Sequence, residues 1–312
     1  MKKIVTIGGG TGHYTILRGL KNYDVDLTAI VSIVDNGGSS GELRVEFGIL
    51  PPGDLRNCLL ALADNIKLKD LMDLFDYRFT GNGNLANHNL GNLILTALTQ
   101  KHKDIGKAIK SASNILNISG KVLPVSLDNT DVYAETYDGG RLEGQVQVSY
   151  PLKNTRIRKI WLNPEAYVYR ESAEAIRNAD LIVISPGDLY GSLVPNLIVK
   201  GIKEALQESK AKIVYVCNLV TKQGTHGFKA SDFAREIEKY LDKKIDFTIC
   251  NTKKPTQNIQ DKYKKEDSYF VEPDLSGENI IKEDLLEELE INRLMTARHN
   301  PEKTAKLIMS LI

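Results

Sequence analysis

Cysteine is scarce in this sequence: 312 residues contain only Cys58, Cys217 and Cys250, and no two of them form a CxxC pair. An odd number of widely spaced cysteines argues against a disulfide framework and a zinc site, and indicates a reducing compartment. Long apolar runs are missing too, because no stretch reaches the roughly 18 residues of a membrane span. The apolar run before Gly8 is too short for a signal peptide. We therefore expect a soluble, cytoplasmic protein with no membrane span.

An excess of charge of one sign is also absent. The 41 basic and 40 acidic residues give a formal net charge of +1, whereas a dedicated nucleic-acid-binding protein carries a basic excess. Hydrophobic residues make up 42% of the chain and charged residues 26%, which is typical of a globular protein. A chain of this length buries enough surface to fold without a metal or a disulfide. We expect one α/β domain over residues 1–312.

Short, nearly continuous apolar runs recur along the chain, and helical patterns fall between several of them. Such runs are typical of parallel strands that are covered on both faces. The predicted strands are 3–7, 27–34, 180–184, 212–216 and 246–249. The predicted helices are 12–20, 54–63 (with Asp54 as N-cap), 90–99, 105–116, 172–178, 193–208 and 302–311. The alternation predicts a Rossmann-like, doubly wound α/β fold with a mostly parallel sheet and extra helices.

Two stretches interrupt this alternation. Between about 121 and 162, apolar and polar residues alternate around the turn 138–140, which predicts an inserted β-hairpin. Its apolar positions are Val132, Tyr133, Tyr137, Val146 and Val148. From about 253 to 300 polar residues dominate, and we expect a long surface excursion before the last helix.

The first predicted strand ends in a glycine-rich turn formed by Gly9, Gly10, Thr11, Gly12 and His13. Glycine lets the backbone turn sharply and bring its N–H groups against a phosphate, where the dipole of the following helix favours an anion. His13 occupies the last glycine position of GxGxxG, and the GK[ST] of a P-loop is absent, so neither motif is complete. A tight turn without a ligand is the alternative interpretation.

Polar residues also follow the second predicted strand and open the next helices. An acidic residue after that strand accepts hydrogen bonds from a ribose in nucleotide-binding folds, hydroxyls and free amides suit phosphate oxygens, and arginine pairs with phosphate through two hydrogen bonds. The candidate ligand-binding residues are Asp35, Asn36, Gly37, Gly38, Ser39, Ser40, Asp54, Arg56, Asn57, His88 and Asn92. The alternatives are a linker at 36–41, a helix cap at Asp54 and a purely structural role for His88.

A third turn that suits an anion follows the strand at 180–184. Its candidate residues, with the one that ends the next strand, are Ser185, Gly187, Asp188, Ser192, Asn196 and Asn218. If the fold brings Asp35, Asp54 and Asp188 together, they suit Mg²⁺ beside a phosphate, and Asp35 and Asp54 are the preferred ligands. Asp35, Asp54 and His88 are also the candidates for catalysis.

Seven sequence blocks spread over the chain form a specific pattern. They are GGGTG at 8–12, DNGGSSGELR at 35–44, ILPPGDLRNCLLALAD at 49–64, HNLGNL at 88–93, SPGDLYGSLVPNL at 185–197, VCN at 216–218 and ARH at 297–299. Together these blocks resemble the gluconeogenesis factor family (YvcK type), within the superfamily of 2-phospho-L-lactate transferase (CofD type). The blocks at 35–44 and 49–64 are far more specific than a glycine triplet, and the segment after the second strand favours the YvcK branch.

The resemblance implies a Rossmann-like core and a cytoplasmic bacterial protein that binds UDP-sugars such as UDP-N-acetylglucosamine. It also implies a role in growth on gluconeogenic carbon sources and in the control of cell shape and cell wall. The transferase relatives use magnesium, so a magnesium-dependent phosphoester transferase is the alternative function. An NAD-dependent dehydrogenase is disfavoured because His13 breaks the glycine motif. The sequence is compatible with a homo-oligomer and with a monomer.

The chain departs from the family pattern at Ser185, Asp188, Gly191, Asn89, Leu90 and the segment 221–227. Asp188 adds a negative charge near the expected phosphate site. Arg298 lies in a segment that resembles an Arg-His-Asp block, which ends in Asn300 here. A cation just before a helix is disfavoured by the helix dipole. We therefore expect the tail to fold back so that Arg298 reaches the diphosphate of the ligand.

Overall fold

A sheet of seven parallel strands forms the centre of the computed structural model, which describes residues 1–63, 68–152, 154–291 and 294–312. The strands, in chain order, are β1 (Lys2–Gly8), β2 (Val25–Val31), β3 (Lys121–Pro124), β4 (Asp131–Thr136), β5 (Arg141–Glu143), β6 (Ile157–Asn163), β7 (Leu181–Ile184), β8 (Lys212–Val216), β9 (Phe247–Asn251), β10 (Ile280–Glu283), β11 (Leu286–Ile291) and β12 (Leu294–His299). The helices are α1 (Gly10–Leu20), α2 (Gly38–Phe47), α3 (Pro52–Leu62), α4 (Lys69–Asp76), α5 (Leu90–His102), α6 (Ile105–Ile115), α7 (Gly144–Ser149), α8 (Arg170–Arg177), α9 (Val194–Leu197), α10 (Ile202–Glu208), α11 (Ala230–Leu241), α12 (Gln257–Lys265) and α13 (Pro301–Met309).

The spatial order of the sheet is β10-β9-β8-β7-β1-β2-β3, and all neighbouring strands are parallel. Ile4 of β1 is in register with Leu27 of β2 on one side and with Leu181 of β7 on the other. The chain builds one half of the sheet outward from β1 and the other half outward from β7. The strand order therefore reverses between β1 and β7, and ligands of open α/β sheets bind outside the carboxyl ends of the strands at such a point.

The central strands are buried along consecutive residues, because helices cover the sheet. All four residues of β7 and the last five of β1 are buried. Helix α1 contributes Ile16, Leu17 and Leu20, each fully buried, to the same core. Burying a side chain of this size contributes about 1.5–3 kcal/mol, so this cluster fixes the position of the turn between β1 and α1.

The predicted α/β fold with a mostly parallel sheet is confirmed. The strand predicted at 212–216 coincides with β8, and the four other predicted strands overlap β1, β2, β7 and β9. The expectation that Asp54 caps a helix is wrong. Pro51 occupies the N-cap of α3, and Asp54 lies inside the first turn, where its carboxylate accepts a hydrogen bond from Gly10 instead.

The helix predicted at 193–208 is broken in the structure. A π-helical turn (Leu189–Leu193) leads into the short α9, and α10 starts only after Gly201. Gly201 has φ = +96°, in the left-handed region that favours glycine. Lys200 forms an isolated bridge with Tyr167, which draws the chain away from a continuous helix.

The region 121–162 differs from the expected insertion in two respects. Strand β3 pairs with β2 in the main sheet, while β4, β5 and β6 form a separate antiparallel sheet. Val146 and Val148 lie on helix α7, not on a strand. The amide of Val146 donates to Asn36 Oδ1 at 3.0 Å, which ties α7 to the loop after β2. Residue 153 lies outside the described residues.

The stretch 253–300 contains more regular structure than its polar composition predicts. Helix α12 is followed by β10, which extends the main sheet beside β9, and by the hairpin β11–β12. A small apolar cluster of Ile259, Tyr263, Leu286 and Ala297 holds the hairpin against α12. Residues 292 and 293 lie outside the described residues.

Helices α2, α4, α7, α11 and α12 were not predicted. Helix α2 starts with glycines and serines, which have weak helix propensity and therefore do not indicate a helix. Residue 64, which ends the sequence block at 49–64, lies outside the described residues. Among the described residues no helix combines the length and the apolar character that crossing a membrane requires.

Candidate functional site

A cleft with a volume of about 460 Å³ opens at the carboxyl ends of β1, β7 and β8, beside the point where the strand order reverses. It brings together the first glycine-rich turn, the turn after β7, the loop after β8 and the end of β12. Its predicted lining residues are Gly9, Gly10, Thr11, Gly12, Asp35, Asp54, Gly187, Asp188, Ser192, Asn218 and Arg298. Residues that the sequence did not indicate also line it: Thr15, Gln145, Tyr150, Pro186, Gly191, Leu219, Val220, Lys222, Ala297 and His299.

The first glycine-rich turn forms the start of α1, and its glycines serve different purposes. Gly10 has φ = +68°, and a Cβ added there would meet no atom within 4 Å. A Cβ at Gly12, by contrast, would overlap the carbonyl oxygen of Pro186. Gly12 therefore allows two turns to pack together, whereas Gly10 leaves an open backbone face. The N-cap residue Gly9 has no side chain that could cap α1, and the Gly10 amide donates to Asp54. The amides that follow Gly10 are available to an anion.

Asp35 and Asp54 are two of the three carboxylates that line this cleft. Asp54 Oδ1 accepts a hydrogen bond from the Gly10 amide at 2.9 Å, and Asp35 Oδ1 accepts one from the Gly37 amide at 3.1 Å. Burial and, to a lesser extent, the negative charge of Asp35 raise the pKa of Asp54 from 3.8 to about 7, although the Gly10 hydrogen bond opposes the shift. Near neutral pH, Asp54 is thus poised between its acid and its ionised form.

Asp188 carries less free charge than its sequence position predicts. Its carboxylate accepts a hydrogen bond from the Gly191 amide at 2.9 Å and lies 3.0 Å from Lys222 Nζ. Lys222 Nζ also lies 5.0 Å from the centre of the Tyr150 ring. Burial opposes the charge of Lys222, but Asp188 and Tyr150 outweigh it and raise the pKa of the ammonium group. Asp188 and Lys222 therefore neutralise each other.

Arg298 lies on β12 and lines the cleft together with its two neighbours. Its Nη1 donates to the carbonyl of Ala297 at 3.1 Å, and its Nε is buried without a hydrogen-bond partner in the described part of the chain. Burial lowers the pKa of the adjacent His299 to about 4, so that imidazole is neutral at physiological pH. The tail folds back to the glycine-rich turns, and Arg298 keeps hydrogen-bonding capacity for a ligand.

Three predicted residues lie beneath the cleft instead of lining it. His13 is fully buried, its Nε2 lies 2.7 Å from Thr6 Oγ1, and burial lowers its pKa to about 3. Ser185 is fully buried as well. Asn196 is also buried and donates to the carbonyl of Gly8 at 3.3 Å. These side chains support the turns from behind.

Most of the remaining predicted residues surround a second pocket of about 200 Å³. It shares Asp35 and Asp54 with the cleft, and its other lining residues are Gly37, Gly38, Ser39, Ser40, Gly53, Arg56, Asn57, Arg78 and Asn92. Asn36 and His88 line neither space. Asn36 holds α7, whereas His88 bridges Ser39 Oγ, at 3.1 Å from its Nδ1, and Glu42, at 3.3 Å from its Nε2.

The metal-binding capacity of the site is limited to paired carboxylates. The described ranges contain no group of three or more His, Cys, Asp or Glu side chains arranged to hold a metal ion. Mg²⁺ is commonly held by one or two carboxylates together with phosphate oxygens and water, so Asp35 and Asp54 fit it only with a phosphate present. Asp188 is committed to Lys222.

Comparison with known proteins identifies clear relatives. The model of the 2-phospho-L-lactate transferase CofD family matches residues 4–292. A putative gluconeogenesis factor of Thermotoga maritima is 44% identical over 280 residues, which cover 89% of this chain and 87% of that protein. The gluconeogenesis factor of Bacillus subtilis is 38% identical over 318 residues, with 99% and 98% covered. A solved structure from Bacillus halodurans superposes with a TM-score of 0.91 at 39% identity, covering 99% of each chain.

Proposed function

This chain belongs to the 2-phospho-L-lactate transferase CofD family, among the relatives named gluconeogenesis factors, and on that premise we propose that it is a regulatory protein that binds a UDP-sugar in the cleft. UDP-N-acetylglucosamine is the ligand that we propose, and the choice of uridine and of this sugar rests on the family resemblance. The anion-binding groups of the cleft and the side chains that form its walls support the proposal.

The observation that carries the proposal is the convergence of anion-binding groups at one end of the cleft. The first turn of α1 presents the backbone amides that follow Gly10. Arg298 lines the same cleft, and its Nε has no hydrogen-bond partner among the described residues. Helix N-termini and arginine are the groups that proteins use to bind phosphates. A diphosphate placed there receives hydrogen bonds from the backbone and positive charge from the tail.

The walls of the cleft suit the two ends of a nucleotide sugar. Tyr150, Leu219 and Val220 provide apolar surface, which a nucleobase requires. Gln145 and Asn218 provide polar groups for a sugar. Asn218 is held in place because its Oδ1 accepts from the Tyr215 hydroxyl at 3.0 Å and its Nδ2 donates to the Gly187 carbonyl. These apolar and polar side chains support the proposal of a nucleotide sugar as the ligand.

Calorimetric titration with UDP-N-acetylglucosamine tests the proposal. Losing one charge-assisted hydrogen bond costs about 1.5–3 kcal/mol, so Arg298→Ala should weaken binding about tenfold to a hundredfold. Arg170→Ala is the matched control, because Arg170 is an exposed arginine on α8 whose ion pair is with Glu174; its affinity should equal that of the wild type. No binding by the wild type, or equal affinities for all three proteins, would contradict the proposal.

The second candidate function is a magnesium-dependent phosphoester transferase, and the carboxylate pair Asp35 and Asp54 favours it. With a phosphate present, these side chains would hold Mg²⁺, which supplies neutralisation of charge on the phosphate oxygens. The two functions differ in their response to chelation. A binding protein keeps its affinity for the UDP-sugar in EDTA and yields no product, whereas a magnesium-dependent product that disappears in Asp54→Asn would favour the transferase.

The regulatory role extends to growth on gluconeogenic carbon sources and to cell shape. Expression of this chain in a Bacillus subtilis strain that lacks its own gluconeogenesis factor tests that part. We expect wild-type protein to restore growth on a gluconeogenic carbon source and normal rod shape, and Arg298→Ala at equal protein level to restore less. Equal rescue by both proteins would separate the cellular role from ligand binding.

A further inference from the structure

The second pocket lies next to the cleft but is a separate space. Asp35 and Asp54 line both spaces, and the 200 Å³ pocket is otherwise formed by the start of α2, the start of α3, Arg78 and Asn92. One water needs roughly 10–15 Å³, so this pocket has room for a group of the size of a phosphate. Its lining is almost wholly polar or glycine, which makes it unsuited to an apolar ligand.

Arg56 is the side chain that indicates what the pocket holds. Its side chain is 8% exposed, and its Nε and Nη1 are buried without a hydrogen-bond partner among the described residues. In the described part of the chain only Nη2 is engaged, with Asn57 Oδ1 at 2.7 Å and Asp76 at 3.7 Å. A guanidinium stays protonated in proteins, and burying one without full hydrogen bonding is costly. Two donor nitrogens without a described partner, on a buried cation that lines a pocket, require an acceptor.

The position of Arg56 is fixed by packing. A Cβ at Gly91 would lie 2.9 Å from Arg56 Cδ, so the arginine stem lies directly against the first turn of α5. Asn57 follows Arg56 on α3 and holds one end of the guanidinium. A preorganised arginine loses less conformational entropy on binding than a mobile one.

The start of α2 provides the second anion-binding element. This ten-residue helix has Gly37 at its N-cap and no side-chain cap, and Ser39 and Ser40 in its first turn line the pocket. An uncapped helix N-terminus favours a negative group. Asn92 Oδ1 is also buried and unpartnered in the described part of the chain, and it suits a hydroxyl on the ligand. Asp35 and Asp54 border the pocket on the side of the cleft.

We propose that this pocket binds the phosphoryl group of a second small molecule, a phosphate monoester, beside the ligand of the main cleft. The phosphoryl oxygens accept from Arg56 Nε and Nη1 and from the first amides of α2. The proposal goes beyond the proposed function and does not depend on which nucleotide the cleft takes. Both ligands would meet at Asp35 and Asp54, so a ligand in one space should change the affinity of the other space for its own ligand.

Titration with inorganic phosphate, followed by ³¹P NMR line broadening, tests the assignment. Arg56→Gln should weaken phosphate binding about tenfold or more, because it removes both the charge and the fork of donors. Arg170→Ala, which changes an exposed arginine on α8 that lines neither the cleft nor this pocket, should bind phosphate as the wild type does. The titration is repeated with UDP-N-acetylglucosamine present, and phosphate should still bind.

The variants distinguish phosphate binding in the second pocket from phosphate binding in the cleft. If Arg298→Ala loses phosphate binding and Arg56→Gln keeps it, phosphate binds in the cleft and the proposal is wrong. Absence of phosphate binding by the wild type overturns it as well, whatever UDP-N-acetylglucosamine does. Should Arg56→Gln fail to fold, Arg78→Ala serves instead: Arg78 is exposed and lines the same pocket. Its variant should bind phosphate severalfold more weakly, and an unchanged affinity contradicts the proposal.

Discussion

Replacing Asp54 by asparagine should stabilise the protein, and increasingly so as the pH rises. The carboxyl group is partly buried, and its burial together with the charge of Asp35 raises its pKa from 3.8 to about 7. Between these two values the folded protein retains a proton that the unfolded chain has released. The free energy of unfolding of the wild type therefore falls as the pH rises through this window. An amide at position 54 keeps an acceptor for the Gly10 amide but does not ionise.

The magnitude follows from the size of the pKa shift. One pKa unit corresponds to about 1.4 kcal/mol of differential interaction. Most of the change in the free energy of unfolding falls between about pH 5 and about pH 8. Over that range we expect the advantage of Asp54→Asn over the wild type to grow by about 2–3 kcal/mol. Any constant difference between an amide and a carboxyl group cancels, because only the change with pH is compared.

Urea unfolding followed by far-ultraviolet circular dichroism, at several pH values, provides the free energies by linear extrapolation. Asp70→Asn is the matched control: Asp70 is exposed in the first turn of α4, where solvent screens the lost charge, so its effect should stay small throughout. His13 and His299, whose pKa values are lowered by burial, also make stability depend on pH, but they are the same in both proteins and cancel in the difference. An advantage of Asp54→Asn that stays constant or shrinks with rising pH would refute the reasoning.

Further predictions concern the turns and the buried ionisable groups. Gly10→Ala should abolish detectable UDP-sugar binding in calorimetry yet cost only about 1–2 kcal/mol of stability for its left-handed backbone, whereas Gly12→Ala should lower the melting temperature strongly because its Cβ overlaps backbone. Lys222→Met should destabilise the protein by about 1–3 kcal/mol in urea unfolding, and adding Asp188→Asn should recover part of the loss. In the Asp54→Asn background the free energy of unfolding should fall as the pH drops below about 6.5, since the unfolded chain protonates His13 and the folded chain does not; His13→Gln should reduce that slope.

The main sheet was predictable wherever burial on both faces makes a strand apolar throughout. Strand β8 illustrates this case, because four of its five residues are buried. Strand β10 illustrates the opposite: Ile280–Glu283 lies at the edge of the sheet with exposed lysine and glutamate, so no apolar run marks it. The start of α2 was taken for a loop because glycine and serine have weak helix propensity, and only its packing makes it helical.

The candidate site was predictable in composition but not in arrangement. Polar residues at strand ends indicated which turns carry chemistry, and Arg298 was indicated by its place before a helix. Which turns share one space depends on the reversal between β1 and β7, and this long-range pairing has no local signal. For the same reason the sequence did not predict that Arg56 lines a second pocket instead of the cleft. It also did not indicate that Lys222 neutralises Asp188.

A crystal structure with UDP-N-acetylglucosamine bound would show directly where the ligand lies. We expect the diphosphate at the start of α1, within hydrogen-bond distance of the amides that follow Gly10 and of the Arg298 guanidinium, with the base against the wall formed by Leu219 and Val220. A ligand seated away from Gly10 and Arg298, or crystals grown at saturating ligand in which the cleft stays empty, would contradict this expectation.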